Sequence, residues 1–175
     1  MNETFESLTR NIKGNIRIVE QNFSNEFVSN KILYSANFIK LTFDNCAFDK
    51  VNFGGSIVVK CSFNNCKFLE TTLKQANLED CTFTNCQIID SNFDKIYVDE
   101  TIFNLCQFKN LSLLAGFFTN CKMIDCNFDK INSYGLCAII VDSQISKFDR
   151  SVNFNGDFNF NKVLEFLESI PDPRN

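Results

Sequence analysis

The sequence predicts an all-β solenoid whose chain turns a corner every five residues and closes a four-sided coil every twenty. Three observations predict it. Every fifth residue from Ile18 to Phe128 is apolar, 23 positions without an exception. In a chain that is 45% apolar, such a run arises by chance on the order of once in 10⁸ trials. A second order repeats at twenty. Cys46, Cys66, Cys86, Cys106 and Cys126 form one series, Cys61, Cys81 and Cys121 another with Thr101 in the gap, and Phe43, Phe63, Phe83 and Phe103 a third continued by Met123. The third observation is composition: 21 Phe, no Trp, 6 Gly and only 2 Pro lack the turn punctuation of a sandwich or an up-and-down barrel.

A helix of period 3.6 cannot hold every fifth residue on one face, and in a strand of period 2 fifth neighbours point to opposite sides. A chain that bends every five residues can. Each side then turns its centre inward together with the residue two before it, and that second series is mostly small: Ala36, Cys46, Ser56, Cys61, Cys66, Thr71, Ala76, Cys81 and Ser91 among others. The stretches between are polar. Asn45, Asn65 and Asn85 line one corner, where asparagine tolerates a left-handed backbone.

From the N-terminus, residues 1–15 read as a cap segment, with Phe5, Leu8 and Ile12 at helical spacing before Gly14. The solenoid is expected over 16–158, about seven twenty-residue coils and a rod roughly 34 Å long at the spacing of neighbouring strands. After Phe128 large and small trade places: Ser133, Ala138 and Ser143 pair with Ile131, Leu136 and Val141, a swap that conserves volume. Phe148 with Ser146 and Phe158 with Gly156 restore the order, while Val152 and Phe154 fit a one-residue slip around Asn153. Residues 159–175 read as a short C-terminal α-helix. Asn161 stands at its cap, Val163, Phe166, Leu167 and Ile170 recur on one face, and Pro171 and Pro173 end it. That face is expected to cover the last coil or to form a homodimer contact.

Segments such as Ser35-Ala36-Asn37-Phe38, Gln75-Ala76-Asn77-Leu78-Glu79 and Asp90-Ser91-Asn92-Phe93-Asp94 resemble the pentapeptide-repeat protein family. Its pattern sets Phe or Leu at the centre, a small residue two before, and Asn or Asp between. The resemblance covers most of the chain and implies a right-handed quadrilateral β-helix. It also implies a function class, because the best-understood members protect DNA gyrase or topoisomerase IV from quinolones or peptide toxins as acidic rods lying where duplex DNA would lie. Unlike the larger quinolone-resistance members, this chain has no evident loop insertion between coils.

The charge fits a protein partner better than a nucleic acid. A net charge of −4 and a pI of about 4.9 argue against a Lys/Arg grip on phosphates. The opening Met1-Asn2-Glu3-Thr4-Phe5-Glu6 has neither a basic nor an apolar export region, and no apolar run approaches a membrane span. The expected compartment is the cytoplasm, where thiols stay reduced. Nine cysteines, an odd number, fit a disulfide framework poorly, and those of the twenty-residue series read as buried filler at small core positions rather than zinc ligands. The chain has no His, no evident pocket and no phosphate-cradling glycine loop, since Gly54-Gly55 is a lone corner pair. No catalytic residue, cofactor or metal is therefore expected.

Outward positions carry the candidate partner-binding residues: the acids Glu79, Asp80, Asp90, Asp94, Asp99 and Glu100, with Lys95 as the nearby countercharge, and the stacked apolar residues Leu69 and Ile89. Ile39 over Val59 forms a second apolar pair. The expected function is a non-catalytic acidic rod that binds a type II topoisomerase as a DNA mimic. The alternative is a scaffold for an unrelated cytosolic protein.

Overall fold

The computed structural model describes residues 4–10 and 15–132, and the backbone of 137–140 and 147–148. It is a four-sided parallel β-helix of about six coils. Face I stacks the strands Arg17–Val19, Asn37–Ile39, Ile57–Val59, Asn77–Glu79 and Tyr97–Asp99. Face II stacks Asn22–Ser24, Thr42–Asp44, Ser62–Asn64, Thr82–Thr84 and Ile102–Asn104. Face III stacks Phe27–Ser29, Ala47–Asp49, Lys67–Leu69, Gln87–Ile89 and Gln107–Ser112. In the sixth coil one strand, Phe117–Ile124, continues faces I and II, and Asn127–Asn132 continues face III. Face IV pairs through isolated bridges from Ile32 to Asn52, Thr72, Asn92 and Ser112, and then through Leu111–Ile131 and Ser112–Asn132, where the last two face III strands run on into it. Phe43, Phe63, Phe83 and Phe103 are register partners in turn, twenty residues apart.

What bends the chain is a left-handed residue at every fifth position. From Glu20 to Lys130 each such residue has φ between 48° and 63°, and Gly55 is the one glycine among them. Left-handed backbone disfavours side chains branched at Cβ, and none of these corners is Val, Ile or Thr. From Glu20 to Leu105 the corner amide donates to a carbonyl of the following coil at 2.8–3.1 Å, so a bend that costs torsional energy also completes the ladder. Face IV turns more tightly. There Ser56, Ala76 and Ile96 donate back three residues to Phe53, Leu73 and Phe93 at 2.9–3.2 Å, the type II arrangement with its positive φ at the third residue. The side-chain oxygens of Asn52 and Asn92 accept from Gly54 and Asp94 at 2.8 Å and hold that turn in place. Tyr34 lies across Gly54, where a Cβ would come within 3.2 Å of its ring.

The interior is stacked rings. Phe63, Phe83 and Phe103 lie nearly parallel, with centroids 4.7 and 4.9 Å apart. The stack continues through Phe43 to Phe23 at 5.2 Å. The small series lines the wall with Ala, Ser, Thr and Cys, buried to 5% exposure or less. At the N-terminal end the helix expected from Phe5, Leu8 and Ile12 runs over Phe5–Thr9, opened by a Thr4–Ser7 capping box; Ile12 lies outside the described residues. Phe5 has no exposed surface and meets Phe23 and Phe43 edge-on at 5.2 and 5.1 Å. The amides of Phe5 and Glu6 donate to the Glu26 carboxylate at 2.9 and 3.2 Å. The helix therefore plugs the first coil with an aromatic ring and satisfies its own first donors.

Beyond Asn132 the twenty-residue register persists where the backbone is described: Phe118 pairs Ala138 and Phe128 pairs Phe148. A shift falls between Thr119 and Cys121, which face Ile139 and Ile140; the slip expected at Asn153 lies outside the described residues. The pairs built on Ser133, Leu136, Val141 and Ser143, the coil around Phe158, and the C-terminal helix with Val163, Phe166, Leu167 and Ile170 lie outside the described residues.

Candidate protein-binding surface

The outward residues of a four-sided coil fall into columns, and the columns decide which candidates meet. Glu79 and Asp99 are register partners on face I, and Asp80 and Glu100 occupy the corner beside them, with φ of 52° and 49°. These four carboxylates form a two-by-two array over adjacent coils. Asp94 belongs to face IV, and Asp90 to the corner where faces III and IV meet. The acids thus cover faces I and IV and their edges, and leave faces II and III.

Several are already engaged. Asp99 accepts from Thr119 Oγ1 at 2.6 Å and Asn120 Nδ2 at 3.0 Å, and these bonds, Thr119 first, hold its carboxyl below the usual aspartate range. Asp94 accepts from the Ser112 hydroxyl and from the Leu114 amide at 3.0 Å. Asp90 accepts from Asn110 Nδ2 at 2.7 Å. Lys95 is not the only countercharge at hand, because Lys60 reaches Asp80 across one coil at 3.8 Å. That pair is exposed on both sides, so it offsets charge without adding much stability.

The apolar candidates do not join this array. Leu69 and Ile89 are register neighbours and half-buried, but they stand on face III, across the rod from face I. Face I has apolar columns of its own. Val19, Ile39 and Val59 stack in register directly below Glu79 and Asp99. The neighbouring column runs Arg17, Asn37, Ile57, Asn77, Tyr97 and Phe117. Val19, Ile57, Tyr97 and Phe117 are exposed, and the last two rings stack at 5.6 Å and 11°. Sequence reasoning missed this aromatic pair. Aligning outward positions at a spacing of twenty would have found it, since the same operation found the inner columns.

The cysteines prove to be more than filler. Cys46, Cys61, Cys66, Cys81, Cys86, Cys106, Cys121 and Cys126 are free and buried. Each thiol points at the carbonyl of the side-centre residue 23 positions earlier, at 3.2–3.6 Å. Ser56 and Thr71 use their hydroxyls in the same way, at 3.0 and 3.2 Å to Leu33 and Phe48. The small wall position thus selects residues that fit and carry a weak donor. The neighbouring thiols of Cys106 and Cys66, with burial, push the Cys86 thiol above its usual range. For Cys121 burial is the main cause, and its thiol is pushed up to about 11. Among the described residues no group of three or more Cys, Asp or Glu is placed to hold a metal ion, and no helix is long and apolar enough to cross a membrane.

The profile of the pentapeptide repeat region matches residues 36–113. No curated protein shows significant sequence similarity to the chain. Among solved structures the fold is similar to that of QnrB1, a plasmid-mediated fluoroquinolone resistance protein. The two are 15% identical, 81% of this chain and 97% of that one are covered, and the TM-score is 0.45. A pentapeptide repeat protein of the Arabidopsis thaliana thylakoid lumen is 17% identical over 61% of this chain and 68% of its own, with a TM-score of 0.43. HetL, a pentapeptide repeat protein involved in heterocyst differentiation regulation in the cyanobacterium Nostoc sp. strain PCC 7120, is 12% identical over 69% of this chain and 65% of its own, with a TM-score of 0.39. With an apolar centre in every five residues and four such sides to a coil, residues 36–113 are a pentapeptide repeat region.

Proposed function

We propose that the chain is a non-catalytic, acidic protein-binding rod that occupies the duplex-DNA site of a type II topoisomerase. The observation that carries this reading is the carboxylate array of Glu79, Asp80, Asp99 and Glu100 on one edge of the rod. Two carboxylates per coil of about 4.8 Å give one negative charge per roughly 2.4 Å of axis, against about one per 1.7 Å for duplex DNA. A basic cleft built for DNA would attract such a surface through space, less strongly as salt rises. A cytoplasmic location belongs to the same proposal.

The test is competition. Purified protein added to gyrase or topoisomerase IV with duplex DNA should reduce DNA binding at micromolar concentration, less so at higher salt. Asp80→Asn, Asp90→Asn, Asp94→Asn, Asp99→Asn and Glu100→Gln together should abolish the effect with the fold retained, because each amide keeps the acceptor oxygen used between coils. No inhibition or protection by the native protein would end the topoisomerase reading. A scaffold for an unrelated protein is the second reading. The engagement of Asp90, Asp94 and Asp99 by neighbouring coils favours it, since those acids already serve the rod.

A further inference from the structure

We infer that face I is the docking face, and that its occupant is an amphipathic α-helix of a partner protein, lying along the rod axis with apolar residues over the first three coils and arginines over the next three. The inference rests on the reading of the chain as a protein-binding rod and names the part of that rod which binds. Face I combines apolar columns, exposed at Val19 and Ile57 and half-buried at Ile39 and Val59, with carboxylates. Val19, Ile39 and Val59 stack in one column, and the same column continues as Glu79 and Asp99. Beside the acids stand the stacked rings of Tyr97 and Phe117. One column of the face therefore changes from apolar to acidic halfway along, beside a column that runs from Arg17 and Asn37 through Ile57 and Asn77 to the two rings.

The second half selects the cation. Tyr97 and Asp99 project from the same strand, two residues and about 6.6 Å apart, with Glu79 one coil away. A guanidinium lying on an exposed ring can reach a carboxylate at that distance through its planar fork, joining stacking to a charge-assisted hydrogen bond. Lysine offers a point charge and a costlier desolvation, so the site favours arginine. Glu79 makes no ion pair among the described residues, and Asp99 is held charged by Thr119 and Asn120. Both are available to a cation.

The repeat length selects the helix. Matching side chains on face I recur every 4.8 Å or so along the rod. One turn of α-helix rises 5.4 Å, a drift of about 0.6 Å per coil and about 3 Å over the five intervals from Val19 to Thr119. An extended peptide repeats its side every 6.6 Å or so and drifts about 9 Å over the same length. A helix stays in step and a strand does not. About 24 Å of face corresponds to roughly 16 helical residues.

The probe is a labelled synthetic 16-residue helical peptide with leucines at one-turn spacing in one half and arginines at the same spacing in the other. It is measured by fluorescence anisotropy beside its lysine-for-arginine version and a scrambled version. Binding to the full chain should weaken about tenfold or more in Glu79→Gln/Asp99→Asn/Tyr97→Ala, fall several-fold for the lysine peptide, and stay unchanged in Leu69→Ser/Ile89→Ser. Far-UV circular dichroism and melting curves of each variant check the fold. A benzophenone on the peptide should cross-link to face I of the unaltered protein, which keeps the test decisive if a variant misfolds. Absence of binding, equal binding of the scrambled peptide, insensitivity to the face I changes, or cross-links on another face would each overturn the inference. A rod that binds the peptide on face I without touching gyrase keeps this inference and loses the topoisomerase reading. One that inhibits gyrase, and loses the inhibition in the five-acid variant, without binding the peptide does the reverse.

Discussion

A corner residue in this rod answers to two demands, a left-handed backbone and an outward side chain. Asparagine meets both, and it fills the corners at Asn25, Asn45, Asn65 and Asn85, where the side chains also bond in pairs across coils at 2.6 and 2.8 Å. Leu105 is suited to neither: it is held at a φ of 56° and leaves more than half of an apolar side chain exposed. Leu105→Asn should therefore stabilise the protein by up to about 1 kcal/mol, read as a higher midpoint in urea; an unchanged or lower midpoint would contradict the account of the corners. The wall position makes a different prediction. Burial raises the Cys121 thiol from about 9 to about 11, so the neutral form is favoured in the folded state. The stability this contributes is present below pH 9 and is lost as pH rises through 11. Melting temperature should fall across that window, and the fall should be shallower in Cys121→Ser, which keeps a donor for Val98 but does not ionise.

At the scale of the element, a strand of three residues has no independent existence. Its centre ring rests on the rings of the coils before and after. Phe83 lies between Phe63 and Phe103 at 4.7 and 4.9 Å, so Phe83→Ala opens a gap that two stacked neighbours cannot close. The cost should be about 3–5 kcal/mol, measured by denaturant unfolding. This much was legible in the sequence, because one inward apolar centre per side leaves a signal at every fifth residue that no other periodicity explains. The corners were only partly legible. Asn45, Asn65 and Asn85 announced themselves, but Lys40, Glu70 and Leu105 hold the same torsion without a residue that favours it; there the ladder imposes the turn. Face IV was not legible as distinct, since its type II turns depend on side chains two residues before the turn amide rather than on the centre.

For the whole molecule, the sequence supplied the candidate acids but not their neighbourhood. Glu79 and Asp99 are twenty apart and meet; Leu69 and Ile89 are twenty apart and meet as well, yet on the far side of the rod. Spacing gives the column, and only the assignment of columns to faces tells which columns adjoin. Tyr97 and Phe117 are twenty apart too, but the pair points to a contact only once it is seen to flank the acids. The closed wall also sets a chemical expectation. With eight described thiols buried and aimed at carbonyls, the native protein should react with Ellman-type reagents far more slowly than the same protein in denaturant. Prompt labelling of Cys66 or Cys86 in the folded state would mean that the wall opens.

Because every bend sends its amide into the next coil, each coil is fastened only to the two beside it, and Phe5 stoppers the first. Held by its ends and stretched, such a rod has no reason to burst as a unit. It should peel, twenty residues at a time, each loosened turn paying out about 66–72 Å of chain before the next one takes the strain. A force–extension trace would then show a train of near-equal teeth, and the turn beneath Phe5 should be among the last to give way.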